Sequence, residues 1–154
     1  MMQIFVRKGS VEDCEILSLL EIERRSSLDQ FRGGAQLSEI VKQVSPHWQS
    51  ALGDDNTAVF VVGDRGEVMG FAVARKSTCE KSNIATIEQI FVTKDARGLG
   101  LGDSLLAEVM RWAKSERLAA LDGYALPGDR ETKNLFERAG LVARLITVTT
   151  DLLD

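Results

Sequence analysis

The stretch IEQIFVTKDARGLGLGDSLL, residues 87–106, decides how this chain is read. Its first half is apolar and β-branched, the composition of a buried strand. From Leu101 onward Leu105, Leu106, Val109, Met110 and Ala113 return at helical spacing, so a long helix follows the glycines directly. Between strand and helix lies Arg97-Gly98-Leu99-Gly100-Leu101-Gly102. Glycines let backbone N–H groups approach a ligand without a Cβ in the way, and a helix N-terminus adds partial positive charge. Together they suit a pyrophosphate, with Arg97 as a fixed cation. They equally suit a connection that only packs a helix tightly against a strand, and the loop alone does not separate the two.

Upstream, Ile84–Thr93 is a strand, preceded by a hairpin in which Thr57–Val62 turns through Gly63-Asp64-Arg65-Gly66 into Val68–Ala74. At the N-terminus QIFVRK (residues 3–8) alternates as a short strand, and Ser10 followed by Asp13 marks a helix start related to the capping box. Cys14, Ile16, Leu17 and Leu20 then share a helical face. The loop SSLDQFRGG leads to a second helix with Leu37, Ile40, Val41 and Val44 in register, closed by Pro46. Downstream, Leu118–Leu126 reads as a strand, Asp129–Ala139 as a short helix ending at Gly140, and Val142–Leu153 as terminal strand material. The predicted order is β, α, α, β, β, β, α, β, α, β. Only 84–125 has the spacing of a parallel crossover, so the fold class is α/β with a mixed, mostly antiparallel sheet and helices on its faces.

The 154 residues read as one domain, 1–154, large enough to bury a core without disulfides or metals. A net charge of −4 gives no electrostatic case for nucleic acid. Cys14 and Cys79 lack partners at metal spacing and read as reduced thiols. The N-terminus lacks the pattern of a signal peptide and no stretch matches the roughly 20 apolar residues of a membrane span, so a cytoplasmic location is expected.

Three nucleotide-binding patterns compete for the loop. A dinucleotide fingerprint, G-x-G-x-x-G, fails because Asp103 stands at its third glycine, and the phosphate-cradling G-x-x-x-x-G-K-[ST] does not occur. The pattern [QR]-x-x-G-x-[GA] after a strand is matched by Arg97, Gly100 and Gly102. With that match, 87–106 resembles the acetyl-CoA-binding core of the GNAT superfamily of N-acetyltransferases, and the order of elements extends the resemblance over nearly the whole chain. It implies a V-shaped slot between splayed central strands. Ile90, Phe91 and Val92 would then face the pantetheine arm, and Arg97, Gly98, Leu99, Gly100, Leu101, Gly102 and Asp103 would wrap the pyrophosphate. Asp103 departs from the basic or neutral residue often found there, and an acid in a first helical turn is favoured by the helix dipole in any case.

An alkylammonium with a pKa near ~10.4 must lose a proton before it attacks a thioester, so the implied chemistry needs a base. Glu88 is the candidate. Its IEQIFV context is similar to that of family members using a glutamate there, and strand alternation puts it on one face with Ile90 and Val92. A solvated or ion-paired strand glutamate is the plainer alternative. The resemblance also implies the Ile90 N–H as oxyanion donor. In D-R-E-T-K-N-L-F-E-R-A-G-L (residues 129–141), Asp129 stands where the family has asparagine and Phe136 where it has the acid tyrosine, which leaves Tyr124, the only tyrosine, or water to protonate the thiolate. Asp129 and Phe136 would still belong to the coenzyme site. His47, the only histidine, lies beside Pro46 away from either cysteine, so direct transfer in a ternary complex is expected over an acyl-enzyme. The implied partners are acetyl-CoA and a small-molecule or peptide amine, with a homodimer allowed, and no metal. A non-catalytic acyl-CoA-binding regulatory domain is the alternative, motivated by Phe136.

Overall fold

Val59 to Val62 is buried at every position, and the reason is that the strand carrying it lies between two layers of helix. In the computed structural model, which describes residues 1–153, five strands form a sheet in chain order. They are β1 (Ile4–Lys8), β2 (Thr57–Asp64), β3 (Glu67–Cys79), β4 (Ser82–Val92) and β5 (Ala120–Gly123). β1 to β4 pair antiparallel; β5 returns parallel to β4 after the crossover helix. The helices are α1 (Cys14–Leu28), α2 (Gly34–Ile40), α3 (Trp48–Leu52), α4 (Leu101–Ser115) and α5 (Arg130–Arg138).

Alternation along β2 and β3 sends side chains to two separate cores. Val59, Val61, Phe71 and Val73 pack with Leu17 and Leu20 of α1 and with Trp48 of α3. Phe60, Val62, Ala72 and Ala74 pack on the opposite face with Leu105, Leu106 and Val109 of α4. Burying a side chain such as Leu105, which is fully covered, contributes about 1.5–3 kcal/mol. A third cluster joins Leu28 at the end of α1, Leu37 and Val41 near α2, and Leu126 beyond β5. It ties three segments together beside the open end of the sheet.

The start of α1 follows from its sequence. Asp13 accepts from the Ser10 backbone N–H at 2.8 Å and pairs with both Arg7 terminal nitrogens, at 2.6 and 3.0 Å. Asp129 caps α5 through the Thr132 N–H, and Gly140, at φ 89°, ends the chain's last helical segment.

Several expectations are corrected. The second helix stops at Ile40, which is exposed, and Val41 is extended although buried; the apolar spacing to Val44 reflects packing against α1 and Leu126, not continued helix. α3 is an addition that no local pattern predicts. β5 spans four residues instead of the nine of Leu118–Leu126. No strand forms over 142–153, where Val142, Leu145, Ile146, Val148, Leu152 and Leu153 are 75–93% exposed. Alternation supplies strand propensity, but a strand exists only where a neighbouring backbone accepts its hydrogen bonds. The tail touches β5 through the Arg144–Asp122 ion pair and makes no ladder with it.

Among the described residues, no helix is long and apolar enough to cross a membrane.

Candidate active site

The β4–β5 ladder runs from Ile84↔Ala120 to Ile87↔Gly123 and stops. β4 continues against β3 as far as Gly70↔Val92, so beyond Ile87 the parallel strands part. Between them opens a cavity of about 530 Å³. Ile87, Glu88 and Ile90–Val92 form one wall and Tyr124–Leu126 the other; Arg97, Gly98 and Gly100–Asp103 close one end, and α1 and α5 complete it.

A β-bulge sits at the mouth of the fork. Val73 pairs with Gln89 and Ala74 with Ile87, leaving Glu88 as the extra residue of β4. This corrects the expected facing. Ile87, Ile90 and Val92 pack toward α4, whereas Glu88 turns to the other face and meets Arg75, whose Nε lies 2.5 Å from its carboxylate. Glu88 still lines the cavity. Its carbonyl oxygen, released from the ladder, accepts from Arg24 Nη2 at 3.4 Å. Arg24 in turn donates from Nη1 to Gln89 Oε1 at 3.3 Å, and Gln89 Nε2 donates to Glu21 at 2.7 Å. Burial pushes the Arg24 guanidinium down to about 10, opposed by the charge of Glu21, so it is protonated at neutral pH.

The two readings of the glycine loop differ in what should surround it. Gly98 and Gly100 lie at φ 79° and 81°, and a Cβ on either would meet no other protein atom within 4 Å. Close packing therefore does not explain them; a left-handed backbone with open space beside it does. Gly100 caps α4, whose first-turn N–H groups have no acceptor within the helix. This is a fit for a pyrophosphate, since the donors and the room coincide.

The remaining residues divide. Arg97 is held by Glu131 at 3.1 Å and by the Val92 carbonyl at 3.3 Å, with its guanidinium over the Phe91 ring. Asp103 is offset by Arg138 at 3.0 Å. Asp129 lines the cavity while its carboxylate caps α5. Tyr124 is 41% exposed and lines the wall opposite Glu88. Leu99 points outward, and Phe91 lies mostly in the α1-side core. Phe136 is not at the cavity: it is buried in the α4-side core, with its ring beneath Gly123. Cys14, Cys79 and His47 lie off the cavity, and among the described residues no group of His, Cys, Asp and Glu is placed to hold a metal.

Two features escape sequence reading. The bulge depends on long-range register and has no local signal. Glu21 and Arg24 do have one: they occupy the buried stripe of α1 with Leu17, Leu20 and Leu28, where a charged pair among leucines marks a polar network.

The model of the Acetyltransferase (GNAT) family matches residues 18–141. No curated protein matches the chain. Among solved structures, a point mutant of the BH1408 protein from Bacillus halodurans superposes with a TM-score of 0.80 at 17% identity, over 97% of this chain and 99% of that one. Ribosomal-protein-alanine N-acetyltransferase from Brucella melitensis biovar Abortus 2308 gives 0.69 at 14%, over 97% and 99%. Aminoglycoside N-acetyltransferase AAC(6')-Iy in complex with CoA gives 0.70 at 19%, over 98% and 95%. At these identities the likeness is one of fold.

Proposed function

This chain belongs to the GNAT acetyltransferase family, and we propose that it transfers an acetyl group from acetyl-CoA to a primary amine by direct attack in a ternary complex. The observation that carries the proposal is the coincidence of forked strands, open left-handed glycines and a helix N-terminus around one cavity. The first-turn N–H groups of α4 would hold the pyrophosphate, and the free edge of β4 beyond Ile87 would take the pantetheine arm. Acetyl-CoA, when bound, supplies the thioester whose acyl carbon the amine attacks.

Within this frame Glu88 takes the proton that the acceptor's ammonium must lose. The bulge takes Glu88 out of the strand's regular alternation at the point where β4 borders the cavity. Arg75, whose Nε lies 2.5 Å from the carboxylate, fixes its position. The new N–C bond forms as the C–S bond breaks; the departing thiolate takes a proton from Tyr124 on the opposite wall, and Tyr124 recovers one from the nitrogen, which must shed its second proton to leave the amide.

The test is Glu88→Gln, which keeps shape and removes the base. In an acetyl-CoA consumption assay over a varied amine panel, kcat should fall roughly 10²–10⁴-fold at neutral pH with acetyl-CoA affinity nearly unchanged. The deficit should shrink as pH approaches the acceptor's own pKa, where free amine is abundant. A deficit constant from pH 7 to 10 with chemistry rate-limiting removes Glu88 from the role. Retention of acetyl-CoA without turnover of any amine would favour the regulatory-domain reading instead.

A further inference from the structure

Arg24 is a buried cation whose hydrogen bonds are incompletely matched by the protein, and the charges of Glu21 and Asp129 act on it from beyond ion-pair distance. It is 6% exposed, and Glu21 and Gln89 beneath it are each 1% exposed. The network that holds it is itself anchored: Glu21 accepts from the backbone N–H groups of Val44 at 2.7 Å and Ser45 at 2.9 Å as well as from Gln89. Gln89 has both ends used, so its oxygen must face Arg24. Yet Arg24 itself makes only two side-chain bonds, both long, and none from Nε. Among the described residues, no fully buried side-chain nitrogen or oxygen lacks a partner, so Nε keeps contact with solvent. The solvent space that Arg24 lines is the cavity.

The other charged residues of the cavity wall are engaged: Glu88 with Arg75, Arg97 with Glu131, Asp103 with Arg138, and Asp129 as the cap of α5. Arg24 is the one charged lining residue, among those described, with neither an ion-pair partner within 4.0 Å nor a capping role. A guanidinium is a planar fork suited to a carboxylate, and a buried one is costly unless an anion completes it. It adjoins Glu88, whose backbone it touches. An anion at Arg24 would therefore sit beside the residue proposed above to take the amine's proton, and an acceptor reaching both carries an amine and a carboxylate.

We infer that Arg24 binds a carboxylate on the acceptor, so that the amines this chain acetylates are amino acids. This rests on the transferase reading above, with Arg24 as a specificity-determining residue beside the base.

The experiment compares α-, β- and γ-amino acids with their carboxamides as acceptors, for the native protein, Arg24→Met and Arg24→Lys. The native protein should prefer the acids. Arg24→Met should lower kcat/KM for the preferred acid about 10–100-fold, mainly through KM, with little change for its carboxamide. Arg24→Lys keeps the charge, loses the fork and should fall between. Acetyl-CoA affinity and melting temperature of each variant report whether the fold survives. A second readout needs no turnover: the Arg24 Nε–H resonance of isotope-labelled protein, assigned by its loss in Arg24→Lys, should shift on titration with the acids and not with the carboxamides. Equal turnover of acids and carboxamides, a kcat loss in Arg24→Met shared by both (as an oxyanion donor would show), or a resonance indifferent to the acids overturns the inference. A resonance that responds while no amine is acetylated leaves the anion site standing and fells the transferase reading.

Discussion

Replacing Gly102 by alanine separates a glycine kept for the fold from one kept for a ligand. Gly102 is the second residue of α4 and, unlike Gly98 and Gly100, does not have positive φ. A Cβ there would stand 3.6 Å from Leu135 Cδ1 and 4.0 Å from Val92 Cγ2, ordinary contact distances. The folded protein therefore accepts the methyl. Alanine is preferred to glycine in a helix by up to about 1 kcal/mol, and less in the first turn, so stability should hold or rise slightly. For a chain of this size that is a melting shift of roughly 0–4 °C upward. Val92 and Leu135 also line the cavity, so under the proposed function the methyl would stand beside the backbone that a bound phosphate approaches. Overfilling a packed contact costs about 1–3 kcal/mol, which converts to roughly 5–150-fold weaker acetyl-CoA binding. Calorimetric titration and thermal denaturation on one preparation read both quantities. Unchanged affinity in a stably folded Gly102→Ala would refute the assignment of this loop to the pyrophosphate.

The Arg7 guanidinium, helped by the Ser10 N–H and opposed by burial, holds the Asp13 carboxyl below its ordinary value. Its stabilisation is thus present above the unfolded pKa near ~3.9 and lost as pH falls through the lower folded value. Asp13→Asn should cost about 1–2 kcal/mol at pH 7, the figure reduced because Arg7 is half exposed, and urea titrations should show the gap closing in acid; a gap independent of pH would exclude the ion pair as its source. At Gly123 a Cβ would stand 2.6 Å from Phe136 Cζ, in a ring buried by α4 and the sheet, so Gly123→Ala should destabilise by about 1–3 kcal/mol. Native stability in that variant would mean that Phe136 is free to move and does not fix the floor of the fork.

The features legible in the sequence are those governed by neighbours in the chain. The strand, glycine loop and helix at 84–115, the hairpin turn at Arg65-Gly66, the capped start of α1 and the capped α5 all depend on residues a few positions apart. Sequence alone therefore located the glycine loop and its flanking elements, and it named Glu88 and Tyr124, both of which line the cavity. Tertiary structure decided what depends on register and on distant backbone. The bulge that reverses the facing of Glu88 arises where β3 and β4 pair, at Val73 and Ala74 against Gln89 and Ile87. Phe136 became core because Gly123 leaves room for its ring. Residues 142–153 have a strand's alternation and no ladder partner, so the pattern is present and the strand is not. Arg24 acquired its significance only when Gln89, distant in sequence, fixed it against the cavity. Local propensity is set by the chain within one turn or one strand; which side chain faces the ligand is set by partners it meets only on folding.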